Sequence, residues 1–343
     1  MYRLRAAPSA PPNELSHEWR RWIAENLILG SHPAGLMPVL LQAGIAEGDA
    51  LAEIEQALRS PYIEGAVRLK SRLAKRDWVI DIYRKLNRLG EPRIERRHRL
   101  STEQFLSDYY RRNEPVIITG MMDDWPAMAK WNLDYFKEGY AGREVEVQFG
   151  RDADQDYEMN SIAHKRKMAF GDYVDLVRQA GHTNDFYMTA NNDSLNRQAL
   201  TELWDDIGQL PEYLKREAQP RGFFWLGPAG TVTPFHHDLT NNFMAQVLGR
   251  KRLRIIPACE VSRMYNQRHC FTPLDGRNID LQRFPLAADV QVLECVLEPG
   301  EILFLPVGCW HFVEGLDVSA TVAFTNFRWD NDFYSNYPSK HDF

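Results

Sequence analysis

The chain has 343 residues, 44% of them apolar, and a formal net charge of -6, which allows a sizeable core and about two domains of ~150 residues each. That charge gives no general pull towards nucleic acid or an anionic membrane, so neither is expected as a partner. Cys259, Cys270, Cys295 and Cys309 form no CxxC pair, and neither an 18-residue apolar run nor a basic-then-apolar leader is present; a zinc ribbon, a disulfide framework and a membrane span are excluded, and a cytoplasmic protein is expected.

Residues 1–12, with Pro8, Pro11 and Pro12, read as a flexible leader. From Ser16, an N-cap residue, Trp19, Trp22, Ile23, Leu27 and Ile28 recur near helical spacing until Gly30 and Pro33 end the pattern. Further helices are expected over Leu36 to Ala43, from Asp49 through Leu58, and over Ile63 to Leu89. Strand signals are absent before about residue 114, so residues 13–92 are expected to form a helical domain for substrate capture or dimerisation. The basic stripe Arg68, Lys70, Arg72, Lys75 and Arg76 in its last helix reads as a solvated face.

After a charged connector, Arg93 to Arg99, the pattern changes. A helix over Phe105 to Tyr110 precedes strands at Pro115 to Thr119 and Val145 to Phe149, a helix over Met168 to Arg178, and a strand at Phe186 to Ala190. A polar helical segment at Leu200 to Leu214 is followed by short strands at Phe223 to Leu226, Leu253 to Ile256, Val290 to Leu297, Ile302 to Leu305 and Val318 to Phe327. Many short strands broken by Gly/Pro turns predict a mainly β region with some α, of the jelly-roll kind to which cupins belong, over residues 93–343.

The chemistry concentrates in Thr231 to Lys251, TVTPFHHDLTNNFMAQVLGRK. In an extended chain His236 and Asp238 share a face and His237 points away. A histidine and a carboxylate on one face form two-thirds of a 2-His-1-carboxylate triad, which leaves open positions on non-haem Fe(II). The third ligand is expected from a turn after a strand, and His311 in GEILFLPVGCWHFVEG fits, with Trp310 to shelter the site. A keto acid fills two further positions and needs a cation and a hydroxyl for its far carboxylate; Lys251 and Thr233 flank the stretch, with Asn242 in reach.

These residues resemble the JmjC-domain Fe(II)- and 2-oxoglutarate-dependent oxygenases of the cupin superfamily, and among them the asparaginyl and arginyl protein hydroxylases. The likeness covers roughly residues 100 to 330, through EPVIITGMMDDWPAMAKW, GPAGTVTPFHHD, NNFMAQVLGRKRLRIIPA and PGEILFLPVGCWHFVEGLDVSATVAFTNF. It implies a double-stranded β-helix barrel, following the helical domain already read from the residues, with iron ligands His236, Asp238 and His311, and 2-oxoglutarate contacts from Lys251, Thr233, Asn242, Tyr187 and Asn326. It also implies O2 as the second co-substrate and a peptide or protein as substrate; a homodimer is a further expectation, from the apolar stripes of the helical domain. The substrate positions depart from the pattern. Gln148 stands where the arginyl type has an acid, and Cys270 and Phe271 stand where the asparaginyl type has an Arg-Gln pair.

Overall fold

The computed structural model describes residues 7, 15–190, 193–216, 222–266 and 268–338. The prolines of the expected leader lie outside these. The chain divides into two compact units, residues 1–85 and 86–343.

In the first unit, α1 (His17–Leu29), α2 (Pro33–Gln42) and α3 (Glu47–Leu58) follow in close succession, and α4 begins at Pro61 and runs to Asn87. Ser16 caps α1 by accepting from the Trp19 amide at 3.4 Å, and Gly30 ends it at φ 96°, a left-handed conformation that costs glycine little. Trp19, Trp22, Ile23, Leu27, Leu36, Leu40, Ala50 and Ile54 make the core. The two tryptophans meet edge to face at 5.6 Å. The apolar residues of α4 take no part in it: Leu69, Leu73, Trp78 and Tyr83 are all exposed. Trp19 and Trp22 therefore do not share a surface with Trp78 and Tyr83.

Among its described residues the second unit has 13 strands: β1 (Glu95–His98), β2 (Val116–Thr119), β3 (Glu144–Phe149), β4 (Lys165–Ala169), β5 (Phe186–Tyr187), β6 (Phe223–Gly227), β7 (Val232–His237), β8 (Asn242–Leu248), β9 (Lys251–Ile256), β10 (Leu293–Leu297), β11 (Glu301–Leu305), β12 (Trp310–Gly315) and β13 (Ser319–Phe324). One sheet runs β1-β2-β11-β8-β13-β6, a second β10-β9-β12-β7 and a third β4-β3-β5. All pairs are antiparallel except β1 with β2.

The first two sheets form the jelly-roll. Ile117, Leu303 and Leu305 of the first meet Leu253, Ile255, Leu293, Leu297 and Val313 of the second in a shared core. Behind the six-stranded sheet, Val116, Ile118, Phe243, Ile302, Phe304 and Phe324 pack with Phe105, Phe136 and Tyr213 from flanking segments. Behind the four-stranded sheet, Phe235, Ile256, Trp310 and Phe312 pack with Met264, Leu274 and Phe284. Period-two alternation explains this division, since successive residues of one strand serve opposite layers.

Four local expectations differ from the structure, the first being the helical segment expected over Leu200 to Leu214, which is only a 3₁₀ stretch, Thr201–Asp206. The charged connector contains β1, because Arg96 and Arg97 tie the segment to Glu301 and Tyr109 while its backbone adds to β2. The helix expected from Met168 begins at Phe170, because Met168 still pairs with Val145. His311 lies inside β12 and not in the turn before it.

Candidate active site

His236 is the next-to-last residue of β7, His311 is the second of β12, and the two stand directly opposite each other in the antiparallel register. Their ring centroids are 4.2 Å apart. Asp238, just beyond β7, has its carbonyl held by the Gly308 amide at 3.2 Å, which turns its side chain back to the pair. His236 Nε2 lies 3.7 Å from Asp238 Oδ1 and His311 Nε2 lies 4.0 Å from Asp238 Oδ2. One ligand atom from each of the three residues falls within 4.8 Å of the others.

The imidazoles are fixed from behind. His236 Nδ1 faces the Pro234 carbonyl at 2.9 Å and His311 Nδ1 faces the Cys309 carbonyl at 3.1 Å. A carbonyl only accepts, so each Nδ1 carries the proton and each Nε2 keeps its lone pair for a metal. Burial, and next the neighbouring His311, push His236 below its usual pKa, favouring the neutral form that binds metal. Asn242 Nδ2 donates to Asp238 Oδ2 at 3.2 Å and steadies the carboxylate. The donor set, facing one point with two nitrogens and one carboxylate, fits a non-haem Fe(II) of the 2-His-1-carboxylate type.

These side chains line a cavity of about 450 Å³ between the two sheets. Lys251, at the start of β9, is buried in its wall and donates to the Tyr187 hydroxyl at 3.0 Å. Burial lowers the Lys251 pKa to about 7, and among the described residues no carboxylate pairs with it. A buried ammonium without a counter-ion is costly, and a bound dicarboxylate would supply one. Tyr187 reaches this position because Gly227 leaves room: a Cβ there would lie 2.5 Å from the Tyr187 ring. Thr233 and Asn242 also line the cavity. The Asn242 Oδ1 is buried with no protein partner.

Three residues expected near the site are placed elsewhere. Asn326 is not on the cavity wall and donates to the Lys215 carbonyl at 3.2 Å, whereas its neighbour Thr325 lines the cavity. Trp310 faces the outer core, because strand alternation sends it opposite to His311, and meets His237 edge-on at 4.7 Å. Gln148 is fully buried, is not on the cavity wall, and donates to Thr189 at 3.3 Å.

Other wall residues escaped the sequence reading. Glu158 and Met159 come from a polar stretch without periodicity, and Trp225 from β6. Cys270 and Phe271, noted only as departures from the asparaginyl pattern, run along β7: the His237 amide donates to Cys270 O at 3.0 Å and Phe271 forms a bridge with His236. Burial, then the Asp238 charge, pushes the Cys270 thiol up to about 12.

The match to known proteins agrees with this geometry. Residues 102–335 match the model of the cupin-like domain. The chain is 35% identical over 256 residues to a protein named lysine-specific demethylase JMJ30 from Arabidopsis thaliana, covering 71% of this chain and 56% of that one. It is 29% identical over 250 residues to lysine-specific demethylase 8 of Xenopus tropicalis (68% and 53%), and 28% identical over 227 residues to tRNA wybutosine-synthesizing protein 5 of Gallus gallus (62% and 70%). The chain thus spans about half the length of the two demethylase-named relatives. Among the described residues no helix is long and apolar enough to cross a membrane. With the domain match and the His236, Asp238 and His311 cluster together, the chain belongs to the cupin-like JmjC domain family, whose members are Fe(II)- and 2-oxoglutarate-dependent oxygenases.

Proposed function

We propose that this chain is a dioxygenase that hydroxylates an amino-acid side chain in a peptide or protein, using O2 and 2-oxoglutarate and releasing succinate and CO2. The observation that carries the reading is one cavity with a His-Asp-His cluster on one wall and the buried Lys251 ammonium on another. Iron(II), when bound, supplies the activation of O2 coupled to oxidative decarboxylation of 2-oxoglutarate.

In this reading His236, Asp238 and His311 hold the metal and determine which coordination positions stay open. Lys251, with the Tyr187 and Thr233 hydroxyls, takes the distal carboxylate of 2-oxoglutarate, a charge-assisted contact that orients the keto end. Asn242 restrains Asp238 and offers its free carbonyl oxygen to the cavity. The apolar walls from Met244, Val313 and Ala323 exclude water. Residues 13–92 serve substrate capture or dimerisation.

The names of the relatives favour a second reading, removal of an N-methyl group by the same chemistry. A mass-spectrometric comparison of lysates incubated with iron(II) and 2-oxoglutarate, with and without the protein, separates the two: a gain of one oxygen marks hydroxylation and a loss of CH2 marks demethylation. Failure of the iron-loaded protein to form succinate from 2-oxoglutarate would leave a metal-binding cupin used for partner recognition. Succinate formation stimulated by transfer RNA and by no protein fraction would replace the protein substrate with a nucleoside.

A further inference from the structure

We propose that the side chain oxidised in this cavity is uncharged, aliphatic or amide in kind, and that Arg151 enforces this by occupying the carboxylate of Glu158. The inference rests on the oxygenase reading of the same cavity.

Besides Asp238, Glu158 is the only acidic side chain on the cavity wall among the described residues. It would be the natural receptor for a lysine or arginine entering towards the cluster, but its charge is already engaged. Arg151 Nη2 donates to Glu158 Oε1 at 3.0 Å, with the two side chains 0% and 7% exposed. Arg151 is itself held in place. The same nitrogen donates to the Val232 carbonyl at 2.6 Å, and the guanidinium lies 4.3 Å from the Tyr157 ring and 5.2 Å from that of Tyr187. A desolvated guanidinium fixed by a carbonyl, a carboxylate and two ring faces cannot swing aside to release Glu158.

The aromatic alternative is also taken. A methylated ammonium can be received by ring faces without any acid. Here the rings of Tyr187 and Trp225 already lie 5.7 and 5.9 Å from the Lys251 ammonium, so these faces are taken by Lys251 and the co-substrate carboxylate that it would hold. Met159, Ala190, Phe223 and Phe271 add only uncharged surface to the wall. A cationic side chain would lose its hydration there with no free carboxylate to offset the loss, whereas an uncharged one loses little. Arg151 is thus a specificity-determining residue that never touches the substrate.

The test uses the full chain and two sets of fluorescein-labelled peptides with identical flanks. The central residue is Leu, Ile, Asn or Gln in one set and Lys, trimethyl-lysine or Arg in the other. Binding is read by fluorescence anisotropy with manganese(II) in place of iron(II), so that Asp238 is engaged, and turnover as succinate formed above the peptide-free rate with iron(II) and 2-oxoglutarate. The uncharged set is expected to bind at least about tenfold more tightly and alone to raise the rate. Equal or tighter binding of the cationic set, or binding of neither, overturns the proposal. Lack of any peptide-free succinate would sink the oxygenase reading and leave the binding preference readable. Arg151→Met, which frees Glu158, should gain affinity for the cationic set; if that variant does not fold by circular dichroism, the comparison on the parent protein still decides.

Discussion

His236 and His311 are direct cross-strand partners of β7 and β12, with ring centroids 4.2 Å apart. Because the register of an antiparallel pair sets which side chains meet, the histidine pair is as rigid as the ladder that carries it. Asp238 has no such support. It follows the end of β7 and is held by the Gly308 amide and by Asn242.

Replacing Asp238 should therefore separate metal binding from folding. Its side chain is part-exposed and contributes no core packing, so Asp238→Ala is expected to keep the circular-dichroism spectrum and the Tm while losing iron-dependent conversion of 2-oxoglutarate to succinate. Parental iron affinity and turnover in that variant would remove Asp238 from the ligand set.

His237 should behave in the opposite way. Its ring packs on Trp310 at 4.7 Å and Tyr337 at 5.7 Å, away from the cavity. His237→Ala should retain iron affinity and 2-oxoglutarate turnover but lose stability, by about 1 to 2 kcal/mol in denaturant titration. Loss of iron with unchanged stability would mean that the wrong histidine of the pair has been taken as ligand.

Lys251→Met keeps the apolar stem and removes the charge. A charge-assisted contact contributes ~1.5 to 3 kcal/mol, so the KM for 2-oxoglutarate should rise about ten- to a hundredfold, with iron affinity nearly unchanged. An unaltered KM would assign the distal carboxylate to another cation.

The same lysine predicts a pH dependence. Burial lowers its pKa from 10.5 to about 7, so folding releases its proton between those values. Its contribution to the stability of the ligand-free protein therefore rises as pH rises through that window and is least favourable below about pH 7. The Tm advantage of Lys251→Met should be largest near neutral pH and shrink towards pH 10.5. A difference independent of pH would show that Lys251 is charged in the folded protein throughout. In the parent, KM for 2-oxoglutarate should climb above about pH 7, where the charged form becomes scarce.

The exposed face of α4 offers a test of the role proposed for the helical domain. Trp78 and Tyr83 are 66% and 64% exposed, so changing both to Ser should leave folding and peptide-free 2-oxoglutarate turnover intact. If the face captures substrate or a second copy, the variant will show a raised KM for the protein substrate or a lower mass in light scattering. No change in either quantity would remove this face from both roles.

Much of the site was legible in the sequence because its determinants are local. The two-residue period of a strand predicts His236 and Asp238 of the HxD triplet on one face and His237 on the other, and the structure has that arrangement, with Asp238 just beyond β7 and turned to the pair by its own contacts. The helix starts and stops around α1 came from Ser16 and Gly30, whose side-chain and backbone preferences act over one turn. The resemblance to JmjC oxygenases placed Lys251, Thr233, Asn242 and Tyr187, and all four line one cavity.

What the sequence alone did not determine depends on contacts between distant segments. Alternation predicts that Trp310 and His311 face opposite ways, but which face is the cavity was decided by the pairing of β12 with β7 and β9, and that pairing put Trp310 in the outer core. Asn326 is drawn to the Lys215 carbonyl by a segment far away in the chain, a contact that no local pattern announces. The charge state of the substrate pocket is likewise a tertiary property. Nothing in the sequence singled out Glu158, and only the fold brings Arg151 to it and fixes that guanidinium with the Val232 carbonyl and the Tyr187 ring, where burial makes the pairing hard to undo.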